Sequence, residues 1–389
     1  MDLPTRTTVL VSGAGPVGLA LATRLAAGGV DHVVVDQAVA GANTSRAAVV
    51  HARTLEVLDT LGLAEPLIDR GVVVPRFAVR DRDETLLAID FSGLATRFPY
   101  TLMAPQDITE ELLEADLQRR GSGVLREHTL EKIDVVGDAG VRVLVEGPAG
   151  PREITADYVV GADGMHSPVR ELAGIGFAGS AYPQSFVLAD VELDWPLPRT
   201  EVQLFFSPEG LVVVAPLPGG RHRVVATVDE APEHPGIDDI AGLLASRGPR
   251  PAAAVRSLAW SSRFRVHHRL AEHYRRGPVF LAGDAAHVHS PAGGQGMNTG
   301  IQDAVDLGSR LSAVLTEGAD PSLLDGYERD RRPVARQVVA LTDRMTRAAT
   351  LSGPAARVRN VVLRGLGALP PVRRAAAMNL SELRWPSAL

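Results

Sequence analysis

The chain of 389 residues contains no cysteine. Disulfides, thiolate metal ligands and a cysteine nucleophile are therefore excluded. The same absence is compatible with a reducing compartment, and a cytoplasmic location is expected. Aromatic residues make up only 4% of the chain, so few rings are available to line a site. Lysine is almost missing: of 40 basic residues only Lys132 is a lysine. The formal net charge of −6 offers no electrostatic footprint for nucleic acid. Long hydrophobic runs are lacking too. Val9 to Leu21 is broken by glycines and followed by Arg24, which suits neither a membrane span nor a signal peptide, and no membrane partner is expected. His287 and His289 are not expected to hold a metal, because no acid or third histidine clusters with them. At 45% apolar and 22% charged residues, the composition is that of a globular protein with a large core in two or three domains.

Glycine is present in quantity and in pattern. Thr7 to Val11 reads as a buried strand, followed by Gly13-Ala14-Gly15-Pro16-Val17-Gly18, a G-x-G-x-x-G. An Ala-rich helix continues to Ala27. A second strand, His32 to Val35, closes on Asp36. In such a unit Gly13 makes the tight turn, Gly15 lets backbone approach a pyrophosphate, and Gly18 lets helix and strand pack closely. Asp36 can accept hydrogen bonds from a ribose, which suits NAD or FAD better than NADP at this place. Arg46 follows in a polar loop within reach of the same pyrophosphate. Arg53 reads as a surface or helix-packing arginine.

A second glycine-rich stretch lies in the last third. Val279 to Ala282 is a short buried strand, and Gly283-Asp284 sets a carboxylate at its end. A loop through Pro291, Gly293, Gly294 and Gly296 then feeds a helix from Met297 to about Leu315. Bare amides and the helix dipole would meet a flat ligand that carries or acquires negative charge. A nucleotide phosphate and a reduced flavin ring both qualify. Between these stretches, Tyr158 to Ala162 is a strand leading into Gly161-Ala162-Asp163-Gly164, with Ser167 as the cap of the next helix. Asp163 taken alone could be a plain Asx turn. Phe186–Leu193, Val202–Phe206, Leu211–Ala215 and Arg223–Val228 read as a strand meander, with Trp260–Val266 as a last strand. A helix runs from Leu324 to about Arg347, and its charged stretch from Asp325 to Pro333 reads as a solvated face.

Gly13-x-Gly15-x-x-Gly18, Gly161-Ala162-Asp163-Gly164, and Gly283-Asp284 with Pro291-x-Gly293-Gly294-x-Gly296-Met297-Asn298 stand in this order. Together they resemble the three fingerprints of single-component FAD-dependent aromatic hydroxylases with the para-hydroxybenzoate hydroxylase fold. The loops are most similar to those of the aromatic polyketide hydroxylases of antibiotic pathways. Arg46, the run from Arg53, and Pro105-Gln106 also resemble flavin-contacting positions. The resemblance implies an α/β fold: a Rossmann-like FAD-binding (GR2-type) domain with an inserted β-sheet substrate domain and C-terminal helices. The expected boundaries are 1–74, 106–172 and 268–350 for the FAD domain, 75–105 and 173–267 for the substrate domain, and 351–389 for the helical segment.

The resemblance also implies roles. Gly13, Gly15 and Gly18 would hold the pyrophosphate of a non-covalent FAD, and Asp36 its adenosine ribose. Arg46 and Gln106 would touch the pyrophosphate and ribitol region. Asp163 would brace the turn near the nicotinamide approach. Gly283-Asp284 would bind the ribitol, and Pro291, Gly293, Gly294, Gly296, Met297 and Asn298 would lie against the isoalloxazine. NADPH or NADH would reduce the flavin, O2 would add to give a C4a-hydroperoxide, and an aromatic ring would be hydroxylated. No residue is identified as the base; His51, His222 and His289 qualify only by type. Larger members carry a C-terminal thioredoxin-like domain. Leu380 to Pro386 resembles the segment that leads into it, so a shortened member, monomer or homodimer, is expected. The rival readings are a NAD dehydrogenase, a flavin halogenase (whose W-x-W-x-I-P run Trp195, Trp260 and Trp385 do not form), a Baeyer–Villiger or epoxidising relative, and a flavin-bearing binding protein without turnover.

Overall fold

The computed structural model describes residues 3–41, 47–136, 140–351 and 353–385. The first of two eight-stranded sheets has the spatial order Arg275–Arg276, Val279–Leu281, Arg152–Gly161, Arg6–Ser12, His32–Asp36 and Val124–Arg126. The hairpin Thr129–Val135 and Val141–Glu146 pairs antiparallel onto Arg152–Gly161. The strands from Val279–Leu281 to Val124–Arg126 run parallel. Val9, Leu10, Val11, Val159, Val160, Phe280 and Leu281 are all fully buried within it. A parallel sheet covered on both faces needs such continuous apolar runs, which is why these short strands stand out in the sequence.

Helix Pro16–Ala27 crosses helix Gly296–Thr316 closely. A Cβ on Gly300 would sit 2.7 Å from Val17 Cγ2, and one on Gly308 2.9 Å from Arg24 Cγ. The helix after the first glycine turn and the helix after the last one therefore lie against each other.

The second sheet has the order His287–Val288, Ala254–Ala271, Phe177–Asp194, His222–Val228, Gly210–Pro216, Glu201–Ser207, Arg76–Asp81, Glu84–Asp90. Two of its strands are 18 residues long, much longer than the expected Phe186–Leu193 and Trp260–Val266. Register shifts at Ala181/Ser185, Asp190/Val191 and Glu192/Leu193 break the period-two pattern that would have revealed their length. One face packs Val187, Ala189, Val191, Val214 and Val224 against Ile240 and Leu244 of helix Ile237–Arg247. A three-stranded sheet joins Val49–Val50, Thr101–Met103 and Val72–Val74. Helices Asp325–Ala349, Gly353–Gly367 and Pro370–Leu380 complete the described chain.

The long helix corrects one expectation. Its charged run is not simply a solvated face, because Arg331 is buried and bound to Asp303, and Glu328 accepts from the Tyr274 amide at 2.9 Å.

Candidate active site

Parallel register brings the motifs together. Ser12 pairs with Gly161 on one side and Val35 on the other, and Gly161 pairs with Leu281. Four adjacent strands thus end in step. Gly13, Ala162-Asp163, Gly283-Asp284 and Asp36 all emerge at one carboxyl edge, where open α/β sheets hold their ligands.

The first turn is built from backbone. A Cβ on Gly18 would lie 1.8 Å from the Gly13 carbonyl oxygen, and one on Gly13 2.3 Å from that of Ala162. Gly15 differs: among the described residues nothing lies within 4 Å of where its Cβ would be. It precedes helix Pro16–Ala27 with no side-chain cap, so among the described residues the amide end of that helix is left uncovered. Asp36 accepts from the Ala14 amide at 2.6 Å and from the Ala38 amide at 2.8 Å. Its carboxylate therefore braces the glycine turn as well as closing the second strand.

The second turn is tied to both neighbours. Asp163 Oδ2 accepts from Ser12 Oγ at 3.4 Å and from the Val169 amide at 3.1 Å, and burial pushes its pKa up. Ser167 caps the following helix through the Arg170 amide. Arg170 then donates to the Met165 and Ala285 carbonyls at 3.0 and 3.1 Å, with its guanidinium 4.0 Å from the Phe177 ring centre. Its role was not foreseen from sequence.

The third stretch is held by side chains. Gly283 stands at φ +60 in the turn Gly283–Ala285, with Asp284 exposed. Gly293 and Gly294 have φ of +86 and +66, a left-handed pair that only glycine adopts freely. Asn298 is buried; its amide donates to the Val49 and Gly294 carbonyls at 2.8 and 2.7 Å and accepts from the His51 amide at 2.8 Å. Gln295 Nε2 donates to the Leu380 carbonyl at 3.1 Å. Asn298, expected at a ligand, thus anchors the loop together with Gln295.

Below the loop lies a buried charge network. His287 Nε2 is 2.7 Å from Asp303 Oδ2, and Arg331 Nε is 2.7 Å from Asp303 Oδ1. Burial alone would raise the Asp303 pKa, but Arg331 and His287 outweigh it and hold it below its ordinary value. The expectation that no acid clusters with His287 is therefore corrected: Asp303 does, 16 residues on in sequence. A carboxylate on the apolar stripe of helix Gly296–Thr316 was the available signal, since a buried charge demands a partner.

Of the three candidate histidines, His51 and His222 are buried and His289 is half-buried. His51 Nε2 donates to the Gly293 carbonyl at 2.7 Å. His289 Nδ1 lies 2.9 Å from the Ser290 carbonyl, its ring parallel to that of His287. His222 lies against Trp195 and Arg199; its neighbour Arg223 points the opposite way, to Asp190 and to the Ala47 carbonyl. Burial lowers all three to pKa values of about 4. Gln106 lies beside Ala47, whose amide approaches its Oε1 at 3.4 Å, and donates to Glu110 at 2.8 Å. Arg46 falls outside the described residues. Arg53 pairs with Glu56 and packs against the C-terminal segment through Trp385.

A cofactor of the expected shape fits these residues on structural grounds. Gly15 fronts open space at an uncapped helix, the loop before Gly296 presents backbone to a second uncapped helix, and both meet at one sheet edge.

Comparison with known proteins agrees. A family model described as an FAD binding domain matches residues 6–342. The 6-methylpretetramide 4-monooxygenase of Streptomyces rimosus is 40% identical over 378 residues, covering 94% of this chain and 66% of that protein. Among solved structures, p-nitrophenol 4-monooxygenase from Pseudomonas putida DLL-E4 superposes with a TM-score of 0.88 at 30% identity, over 98% of this chain and 99% of that one. The anhydrotetracycline hydroxylase of Streptomyces rimosus gives 0.83 at 34% identity, over 98% and 77%.

Proposed function

We propose, given that the chain belongs to the FAD binding domain family, that it is an NAD(P)H- and O2-dependent monooxygenase. The reaction is hydroxylation of an aromatic substrate, of the polycyclic polyketide kind that the Streptomyces rimosus relatives' names describe. One observation carries the reading: the common carboxyl edge at which Gly13–Gly18 and Gly283–Asp284 emerge, with the helix that follows each motif packed against the other. A nicotinamide dehydrogenase would need only the first of these.

When bound, FAD supplies the capacity to take a hydride from NAD(P)H and to activate dioxygen. The chain does the rest. Gly13, Gly15 and Gly18 seat the pyrophosphate on the helix amides, with Asp36 and Gln106 towards the adenosine and ribitol regions. Asp284 takes the ribitol, and the backbone of Pro291 to Gly296 lies along the ring, where the start of helix Gly296–Thr316 favours negative charge. The substrate wall is the sheet face that carries Asp190 and Arg223, because Arg223 reaches across to Ala47. By strand alternation Phe186, Leu188 and Phe264 share that face, and Phe186 and Phe264 stack at 5.9 Å. These apolar groups exclude water from the reacting ring. No histidine is assigned as base, since His51 and His289 are held in structural bonds and His222 lies on the far face.

The test is direct. Purified protein should retain FAD, and polycyclic phenols should stimulate NAD(P)H oxidation with oxygen uptake and a product one oxygen heavier. Ring hydroxylation, lactone formation and epoxidation share that mass, so NMR of the product separates them. FAD retention without stimulation by any such phenol would favour a binding role instead.

A further inference from the structure

One buried acid has no part in the mechanism above. Glu382 lies 40 residues beyond the end of the family match at 342, in the turn after helix Pro370–Leu380. It is fully buried. Its backbone is left-handed, at φ +60, a conformation that strains a non-glycine residue. Its carboxylate points into the first turns of helix Gly296–Thr316, where Thr299 Oγ1 donates to Oε1 at 3.3 Å and Gln302 donates to Oε2. Gln302 also reaches Thr54 at 3.1 Å. Flanking backbone strengthens the dock: the Leu380 carbonyl receives Gln295, and the Ser381 carbonyl receives the Arg53 amide at 3.2 Å.

The charges around it are already committed. Arg331 is the cation that acts on Glu382 most strongly, but it is bonded to Asp303, which also holds His287. Arg53 pairs with Glu56 on helix Ala52–Asp59, and Asp306 with Arg310. A strained, buried acid without its own cation is poorly explained as a staple, since an uncharged residue would serve better.

We propose that Glu382 is a positioning residue whose ionisation is coupled to the flavin end of the site. Neutral, it secures the start of helix Gly296–Thr316. Ionised, its negative charge opposes the support that this helix terminus lends to a reduced, anionic flavin. Burial raises its pKa to about 8, so both forms are accessible near neutral pH. The inference rests on the FAD reading.

The experiment is the flavin midpoint potential of the full-length FAD-loaded protein, measured across about two pH units on either side of this value, in wild type and Glu382→Gln. Below the titration the two should coincide. Above it, wild type should fall to a more negative potential than Glu382→Gln, which stays neutral. Thr299→Val removes a donor to the ionised form and should move the step to higher pH. Equal potentials at every pH with FAD bound overturn the proposal alone, while a wild-type protein that takes up no FAD overturns both readings. If Glu382→Gln loses its flavin, Thr299→Val decides: a step moved to higher pH supports the coupling, an unmoved one overturns it.

Discussion

The turn at Gly13–Gly18 and the loop at Pro291–Asn298 present similar surfaces, backbone at an uncapped helix terminus, but they are held in different ways. The first is rigid through close backbone packing, most of it local, with the Ala162 carbonyl as a remote wall. Its strand, turn, helix and bracing Asp36 all lie within 31 residues, from Arg6 to Asp36. The second is rigid only through the rest of the molecule: His51, Val49, Thr346 and Leu380 approach it from three distant stretches. A turn stabilised by sterics resists change except at its own glycines. A loop stabilised by remote hydrogen bonds can be loosened from far away.

This contrast can be broken first at its remote end. Arg331→Met leaves Asp303 buried with only His287, and removes the donor to the Thr299 carbonyl. Loss of one partner of a buried pair costs about 3–5 kcal/mol. Urea denaturation should show a loss of that order together with weakened FAD retention, although Arg331 touches no part of the proposed cofactor site. Unchanged retention in a folded Arg331→Met protein would mean that the loop is less dependent on its support than its bonds indicate.

A smaller effect should come from pH. His51 and His289 are held neutral, with pKa values of about 4 in the fold against 6.5 unperturbed. The unfolded chain therefore binds more protons in between, and stability is lost as pH falls from about 6.5 towards 4. Glu382 acts in the opposite sense: its pKa is about 8 folded against 4.5 unperturbed, so its contribution declines as pH rises between those values. Denaturation midpoints should fall on the acid side, and His51→Gln should flatten that limb.

The smallest change in stability, and the sharpest comparison, is expected of Gly15→Ala. Gly15 has φ −75 and open space at its Cβ, so the fold should shift by no more than about 0.5 kcal/mol. The added methyl would meet the cofactor, however, and FAD affinity should drop. Flavin fluorescence titration beside a thermal melt separates the two effects; a variant that binds FAD like wild type would remove Gly15 from the cradle.

What was legible in the sequence follows this same division. Thr7–Val11, His32–Val35 and the helix from Met297 were found to within a residue or two of Arg6–Ser12, His32–Asp36 and Gly296–Thr316, because buried parallel strands and glycine turns are local signals. The family match over residues 6–342 agrees with the three motifs read in order. The long strands Phe177–Asp194 and Ala254–Ala271 were only half seen, since their bulges disrupt alternation. Apart from the Ser167 helix cap, few side-chain partnerships were legible. That Asn298 anchors the loop, that Asp303 joins His287 to Arg331, and that Glu382 reaches the same helix depends on which residues the folded chain brings within 3 Å. Sequence by itself determined where the backbone cradles lie, because their glycines recur in short, closely spaced patterns between a strand and a helix. Tertiary structure decided how the second cradle is supported and charged, because hydrogen bonds between residues such as Val49 and Asn298, 249 positions apart, leave no periodic trace along the chain.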